Sequence, residues 1–264
     1  MSFTVHQSAS AVDTGTGMSV TLSGATTNGR FLVVLYGAVL AGQSQTLGGS
    51  WTDILNQACD AGEAGGWSYA AFRAIASGEN SVSLTGTSTT GNQYAALFEV
   101  SCSSGSIQAT DFVVNDLSGT GTTIVMGSVD AVTGDLVMAL GVFHDDDGTG
   151  FTWSNSFGSG PIYRETSSGS PDIGAQAAYR IVASSTTYAT TVTVGGGPSS
   201  DERHGFMFTL HEVAAGISRS AGIGSSIAVV GGIVNRAGSA GIASSIAVVG
   251  GIGSAIAVDA GVNE

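Results

Sequence analysis

The sequence predicts an all-β protein: an antiparallel, jelly-roll-like β-sandwich built from two duplicated halves and followed by a repeat tail rich in Gly, Ala, Ile and Val. Three observations lead to this fold class. Apolar and polar residues alternate along most of residues 1–213, which is the pattern of strands with one buried face. Turn residues separate these stretches, and no segment shows a capped helical period. Several stretches of the first half also recur later in the same order.

Each half contains about six predicted strands. The stretch FLVVLYGAV from Phe31 is apolar on both faces, so we expect it to be central in a sheet. Alternating stretches such as SVSLTG suit strands with one solvated face. The predicted strands are Phe3–His6, Met18–Ser23, Phe31–Ala38, Trp67–Ile75, Ser81–Thr85 and Gln93–Ser101, then Ile107–Val113, Thr123–Ser128, Asp135–His144, Ile173–Val182, Tyr188–Val194 and His204–Val213.

The second half repeats the residue character of the first at offsets of about 105 to 113 residues, with an offset of 102 for the pair of tryptophans. We therefore expect half-domains at 1–105 and 106–215 that form one merged sandwich or, alternatively, two separate small ones. The matched pairs are NGRFLVVLYGAV (28–39) with TGDLVMALGVF (133–143), Trp51 with Trp153, AAFRAI (70–75) with AAYRIV (177–182), NSVSLTG (80–86) with TTVTVGG (190–196), and FEVS (98–101) with HEVA (211–214).

Residues 216–264 form the third predicted segment, which contains a 19-residue repeat. AGIGSSIAVVGGI at 221–233 returns as AGIASSIAVVGGI at 240–252. Each copy predicts a short strand bounded by Gly, with too little side-chain bulk to offset its own ordering entropy. We expect the repeats to stack, within or between chains, as an oligomerisation or anchoring segment, with a trimer as the preferred assembly. A flexible linker and an aggregation-prone composition are the alternatives.

The charge balance argues against nucleic acid and membranes as partners. Twenty acidic residues face seven basic ones, all Arg, for a formal net charge of −13, which repels phosphate backbones and anionic lipid. The longest apolar run, residues 31–42, is too short to cross a bilayer. The N-terminus lacks the basic and apolar regions of a signal peptide, so we expect synthesis in the cytoplasm.

Few residues suggest chemistry. Asp145, Asp146 and Asp147 follow one another in HDDDGTG and are candidate calcium ligands, because hard cations bind several carboxylate oxygens on a tight turn. The full EF-hand pattern is missing, and a solvated acidic turn is the alternative. Cys59 and Cys102 are expected to be free thiols, with one bridge as the alternative. No nucleophile elbow or phosphate loop is present, so we expect neither an enzyme nor a bound cofactor other than calcium.

The three tryptophans, Trp51, Trp67 and Trp153, are candidate stacking platforms for a glycan, or alternatively core residues. Four charged residues occupy matched places in the duplication: Arg73 with Arg180, and Glu99 with Glu212. Residues duplicated with the scaffold favour a structural role, in which each Arg binds a nearby Glu or main-chain carbonyls and fixes the sheet register.

The succession TTNGRFLVVLYGAV, GGSWTDI, WSYAAFRAIASGENSVSLTG, ALFEVS, VTGDLVMALGVF and GFMFTLHEV resembles a family of β-sandwich modules. These modules occur in fibres, spikes and capsid decorations of tailed phages and in some bacterial surface proteins. The resemblance covers roughly residues 1–213 and rests on strand order and residue character. It implies a non-enzymatic structural protein on the virion surface that mediates host attachment, with copies of itself and other virion proteins as partners. The alternatives are a carbohydrate-binding adhesin module that binds a host surface glycan, and a polysaccharide depolymerase.

Overall fold

The computed structural model describes residues 2–13, 17–39, 45–59, 66–85, 92–144, 150–164, 173–195, 200–213, 218–221 and 225–228. No helix occurs in these ranges. The chain divides into two compact units, Met1–Glu212 and Val213–Glu264.

Strands make up most of the first unit, and two more belong to the second. The first half holds β1 Thr4–Asp13, β2 Gly17–Thr21, β3 Phe31–Val39, β4 Thr52–Cys59, β5 Gly66–Ala74, β6 Ser81–Thr85 and β7 Asn92–Ser101. The second half holds β8 Ile107–Gly121, β9 Thr123–Val125, β10 Val129–Ala131, β11 Leu136–His144, β12 Gly150–Trp153, β13 Gly158–Arg164, β14 Ile173–Ile181, β15 Thr186–Tyr188, β16 Thr191–Gly195 and β17 Ser200–Glu212. In the second unit, β18 Ser218–Ala221 pairs antiparallel with β19 Ser225–Ala228.

The two halves build the same sheet. The five-stranded sheet of the first half has the order β1-β7-β3-β5-β4, and that of the second has the order β8-β17-β11-β14-β13. Each half adds a small sheet, β2-β6 in the first and β9-β16-β12 in the second, and β10 pairs with β15. All these pairings are antiparallel. The structure therefore confirms an all-β antiparallel sandwich of two duplicated halves, whereas the jelly-roll topology and the repeat tail are not confirmed.

Three apolar clusters hold the first unit together as four layers. The central cluster lies between the two five-stranded sheets and draws on β3, β5 and β7 as well as β11, β14 and β17. A second cluster joins the outer face of the first sheet to β2 and β6. A third joins the outer face of the second sheet to β9, β10, β12, β15 and β16. Each half is thus a small sandwich, and the two sandwiches are merged through the central cluster, so the structure combines the two predicted alternatives.

The central strands β3 and β11 are buried at every position, as the sequence predicts for β3. Along β3, Val33 and Leu35 face the central cluster whereas Val34 and Tyr36 face the outer one, because successive side chains of a strand point to opposite faces. Burying an apolar side chain of this size contributes about 1.5–3 kcal/mol. Burial along these two strands therefore contributes strongly to the stability of the unit.

The same main-chain hydrogen bonds close the turn that precedes each central strand. The amide of Gly29 donates to the carbonyl of Ile75 over 2.9 Å, and the amide of Gly134 donates to the carbonyl of Val182 over 2.8 Å. Both glycines have positive φ, 84° and 95°, a conformation that other residues adopt at a cost. The duplication read from the sequence is therefore present in backbone detail.

The structure corrects the predicted pairing of Trp51 with Trp153. Trp51 directly precedes β4, and the residue that directly precedes β13 is Phe157. Both follow a turn residue with positive φ, Gly49 at 82° and Asn155 at 56°. Trp153 instead lies within β12, so the resemblance of the two tryptophans in sequence is coincidental.

The structure also corrects the predicted pairing of Glu99 with Glu212. In the first half Leu32 lies opposite Glu99, and in the second half its counterpart Val137 lies opposite Thr209. Glu99 therefore corresponds to Thr209, and the offset between the halves at this strand is three residues shorter than the FEVS and HEVA match implies. The pairing of Arg73 with Arg180 is confirmed, because they lie opposite Leu32 and Val137 in β5 and β14.

A candidate groove in the second half

A groove of about 580 Å³ lies in the second half, within the range of ~300–1,000 Å³ typical of small-molecule pockets. Three of its residues come from β8 and β17, and the rest from β10, β15 and the turn before β11. His211 lies opposite Gln108, on the sheet face turned away from the central cluster. The lining residues are Gln108, Thr110, His211, Asp130, Ala131, Val132, Asp135, Thr186 and Thr187.

A β-bulge shapes the β8 side of the groove. The register of β17 against β8 moves from Thr209 opposite Asp111 to Leu210 opposite Ala109, which leaves Thr110 as the extra residue. Bulges bend a strand and redirect its side chains, and they are common beside binding sites. The threonine hydroxyl therefore enters the lining at the point where the strand bends.

His211 and Asp135 form a hydrogen-bonded pair inside the groove. Nδ1 of His211 lies 2.7 Å from Oδ1 of Asp135, and Oδ2 of Asp135 accepts the amide of Val132 over 2.8 Å. The Asp135 side chain is 5% exposed and that of His211 is 31% exposed. Because an ionised carboxylate carries no proton, Nδ1 is the donor, which leaves Nε2 of His211 for another partner.

Asp130 is held in place from three sides. Its Oδ1 accepts the hydroxyl of Thr187 over 3.0 Å, its carbonyl accepts the hydroxyl of Thr209 over 3.0 Å, and its amide donates to Oδ2 of Asp111 over 2.9 Å. Among the described residues, its carboxylate is hydrogen-bonded through Oδ1 alone. The second carboxylate oxygen thus belongs to an exposed side chain of the lining whose main chain is held by Thr209 and Asp111.

In the first half, the equivalent place is filled by contacts among the protein's own side chains. Register places His6 where the second half has Thr110, and Ser101 where it has His211. Nε2 of His6 lies 2.8 Å from Oγ of Ser101. Arg30, the counterpart of Asp135, binds Glu99 at 3.1 Å. The same backbone therefore carries a satisfied ionic cluster in one half and a polar groove in the other.

Glu99 is the centre of that ionic cluster. Its side chain is 1% exposed and accepts Nε2 of Gln7 over 2.6 Å, the amide of Thr27 over 2.9 Å and a guanidinium nitrogen of Arg30 over 3.1 Å. Burial raises the pKa of Glu99, but these three donors outweigh it and hold the pKa below its ordinary value. The carboxylate fastens the segment before β3 to the sheet.

Glu212 has a related role at the end of β17. It is 2% exposed, and Oε1 accepts the hydroxyl of Ser103 over 2.6 Å and the amide of Ser104. Burial raises the pKa of Glu212, but the hydrogen bonds from the two serines outweigh this effect and hold the pKa below its ordinary value. This carboxylate fixes the loop that joins the two halves.

The duplicated arginines pack on aromatic rings. The guanidinium of Arg73 lies 5.2 Å from the ring centre of Trp51 and 3.7 Å from Oε1 of Glu79. The guanidinium of Arg180 lies 4.9 Å from the ring centre of Tyr188 and donates to the carbonyl of Asn155. Each Arg thus reaches a Glu or a main-chain carbonyl, in agreement with the structural role predicted from the sequence.

The three tryptophans lie in different surroundings. Trp153 is buried, stacks on Phe157 and donates its indole N–H to Oε1 of Gln176 over 2.7 Å. Trp67 is partly buried and donates to Oδ1 of Asn56 over 2.7 Å. Trp51 is partly buried beneath its arginine. The structure therefore does not bring them together as one stacking platform, and glycan contact by any one of them stays a prediction.

Sequence reasoning missed two buried histidines in the central layer. His204 lies opposite Val142, and His144 lies two residues further along on the same strand face, so the rings are diagonal neighbours. His204 is 0% and His144 7% exposed, and within the described part of the chain no ring nitrogen of either has a hydrogen-bond partner. Burial lowers the pKa of His204 to about 4, although the nearby main-chain carbonyl of Trp67 acts to raise it.

The calcium candidates Asp145, Asp146 and Asp147 lie outside the described residues. Within the described ranges, no group of three or more His, Cys, Asp or Glu is arranged to hold a metal ion. Cys59 and Cys102 are free thiols, as expected. No helix in the described ranges is long and apolar enough to span a membrane.

Comparisons of this chain with family models, with curated proteins and with solved structures found no match.

Proposed function

We propose that this chain is a non-enzymatic structural protein of a tailed-phage virion, displayed on the particle surface as a fibre, spike or decoration protein. On this proposal the double sandwich is the exposed head that meets the host surface. The repeats after it assemble chains, as a trimer, or dock to other virion proteins.

The observation that carries the proposal is the way the head uses its charged side chains. Glu99 and Glu212 bind main-chain amides of connecting segments, and Glu79 does the same at the amides of Ala76 and Ser77 over 3.0 and 2.8 Å. Charge-assisted bonds of this kind stiffen a scaffold. These three glutamates hold connecting segments in place and do not line the groove.

The surface charge supports the same proposal. A net charge of −13 keeps copies soluble and apart until specific contacts form, and it disfavours packing against nucleic acid inside a particle. The merged central layer also suits an exposed head, because both halves contribute to one buried core.

Labelling of intact particles tests the proposal. Gold-labelled antibodies raised against the full chain are applied to intact phage particles from cultures that produce the chain. The same particles are digested for peptide mass spectrometry. Label on the tail or capsid surface, with peptides of the chain present, is the expected result. Particles that carry neither label nor peptides would contradict the proposal.

Light scattering coupled to size exclusion tests the role of the repeats. A full-length trimer and a monomeric variant ending at Val213 are the expected pair of results, since Met1–Glu212 is a compact unit of its own. Two monomers would contradict self-assembly through the repeats and leave docking to another virion protein as their role.

A further inference from the structure

We infer that the groove of the second half binds a neutral saccharide, with Asp130 and His211 as its principal polar contacts. The inference rests on the proposed function, in which the exposed head meets a host surface. To that proposal it adds the location of a ligand-binding site on the head and the chemical class of the ligand.

Two side chains of the groove, Asp130 and His211, each have one polar atom hydrogen-bonded within the protein and a second one left for a ligand. Among the described residues, Oδ2 of Asp130 and Nε2 of His211 take part in no hydrogen bond, whereas the partner atoms Oδ1 and Nδ1 are bonded to Thr187 and Asp135. A site whose polar groups are fixed before binding loses less entropy when a ligand arrives. A sugar hydroxyl both donates and accepts, so it can satisfy the carboxylate oxygen and the imidazole nitrogen together.

The remaining lining suits the rest of a sugar ring. Gln108, Thr110 and Thr186 add an amide and hydroxyls, which recognise further ring hydroxyls. Ala131 and Val132 add apolar surface, and Val132 is 45% exposed. Sugar rings carry C–H faces as well as hydroxyls, so a lining of mixed character matches them.

Two other ligand classes fit less well. An anionic ligand would meet Asp130 and Asp135 on a chain of net charge −13. A hard cation takes about six to eight oxygen ligands, whereas both oxygens of Asp135 are already engaged by His211 and the amide of Val132. A neutral polyhydroxyl ligand avoids both penalties.

The first half supplies an internal comparison. At the equivalent place of the first half, Arg30 is bound to Glu99 and His6 is bound to Ser101. The side chains there are therefore bonded to each other. One copy of the scaffold thus satisfies its own polar groups, whereas the other leaves two of them in the groove. Divergence of one copy toward binding would produce this difference.

Saturation-transfer NMR on the full chain tests the inference. The probes are D-glucose, D-galactose, D-mannose, N-acetyl-D-glucosamine and short linear oligosaccharides of each, at millimolar concentration. The variants are Asp130→Ala and His211→Ala, and His6→Ala is the matched control at the corresponding bulge of the first half. Denaturant unfolding of each variant confirms that it is folded.

The expected result is saturation transfer to at least one probe. Each groove variant should weaken that affinity by about tenfold or more, the effect of losing one hydrogen bond to a charged or imidazole group, while His6→Ala leaves it unchanged. Absence of transfer to every probe would overturn the inference. So would binding that survives both groove variants, as a site at Trp51 or Trp67 would produce. Particle labelling does not depend on the groove, so failure here leaves the proposed function standing.

Discussion

The two halves of this protein have the same order of strands in their main sheets, but their polar side chains make different contacts. Both fasten the segment before the central strand with a buried or half-buried carboxylate that accepts a main-chain amide. In the first half the carboxylate is Glu99 on β7, which accepts the amide of Thr27; in the second the corresponding amide is that of Val132, and its acceptor is Asp135 of the same turn. The amide needs an acceptor in both halves, but the acceptor comes from a neighbouring strand in one and from the turn itself in the other.

The halves also differ where they touch. Gly37 and Val142 occupy equivalent positions, and a Cβ built on Gly37 would lie 2.5 Å from a methyl group of Val142. Two identical side chains cannot share that space, so the duplicated positions have diverged into a small and a large residue. The contact between the halves therefore requires asymmetry at this point.

The largest expected effect comes from the fastening carboxylate of the first half. Glu99→Ala leaves the Arg30 charge and the Thr27 amide without their acceptor and should lower the free energy of unfolding by about 3–5 kcal/mol. The equivalent change, Thr209→Ala, removes one neutral hydrogen bond to Asp130 and should cost about 1 kcal/mol. Urea unfolding of both variants measures the difference. Equal losses would show that the two halves are fastened alike.

Acid should weaken the central layer through His204, whose counterpart in the first half is Tyr94. The pKa of His204 is about 4 in the folded state and about 6.5 in the unfolded chain, so the unfolded chain binds the proton first. Stability is therefore complete above about pH 6.5 and falls as the pH drops toward 4, by an amount on the order of 3 kcal/mol. Below that window the lowered pKa values of Glu99 and Glu212 add a further loss as these carboxylates protonate.

His204→Leu should reduce the pH dependence of the free energy of unfolding between pH 6.5 and 4.5, as measured by urea unfolding at several pH values. His6→Ala, which removes a histidine bonded only to Ser101 near the surface, should leave the slope in place. A slope that persists in His204→Leu would assign the acid sensitivity to another group.

A smaller effect is expected at the contact between the halves. Gly37→Ala forces a Cβ toward Val142 and should destabilise by about 2 kcal/mol. Val142→Ala in the same chain makes room, so the double variant should be less damaged than the sum of the single ones. Gly48→Ala is the control, because nothing lies within 4 Å of its Cβ. Purely additive losses in the double variant would refute the proposed steric conflict.

The smallest effect is expected at the duplicated arginines. Arg73→Lys and Arg180→Lys keep the charge but lose the planar contact with Trp51 and Tyr188, at about 0.5–1 kcal/mol each. Similar losses, measured by thermal unfolding, are expected because each guanidinium lies about 5 Å from the centre of one aromatic ring, although Tyr188 is not the counterpart of Trp51. A loss confined to one half would show that only one of the two ring contacts stabilises the protein.

The sequence predicts well wherever burial is periodic. Strands β3, β5, β7, β11 and β14 were all expected near their observed bounds, because both or one of their faces are apolar throughout. Strands β4, β10, β12 and β13 were missed. The side chains of β4 are mostly exposed, and its buried residues are Leu55 and Cys59, so its sequence lacks the alternation on which prediction depends.

The groove was missed for a different reason. His211, Asp135 and Asp130 are separated by up to 81 residues, and none belongs to a recognisable motif. Strand pairing brings them together, and the bulge at Thr110 cannot be read from residue types. The signal that could have found the groove is the mismatch between the halves, since His211 stands where the first half has Ser101.

The sequence by itself determined the all-β class, the duplication and the central place of the FLVVLYGAV strand, because hydrophobic periodicity is a local property of the chain. Tertiary structure decided how the halves are joined, which residues correspond, and which half leaves polar groups free in a groove. These depend on register and on contacts between distant strands, where a shift of one residue turns a side chain to the opposite face.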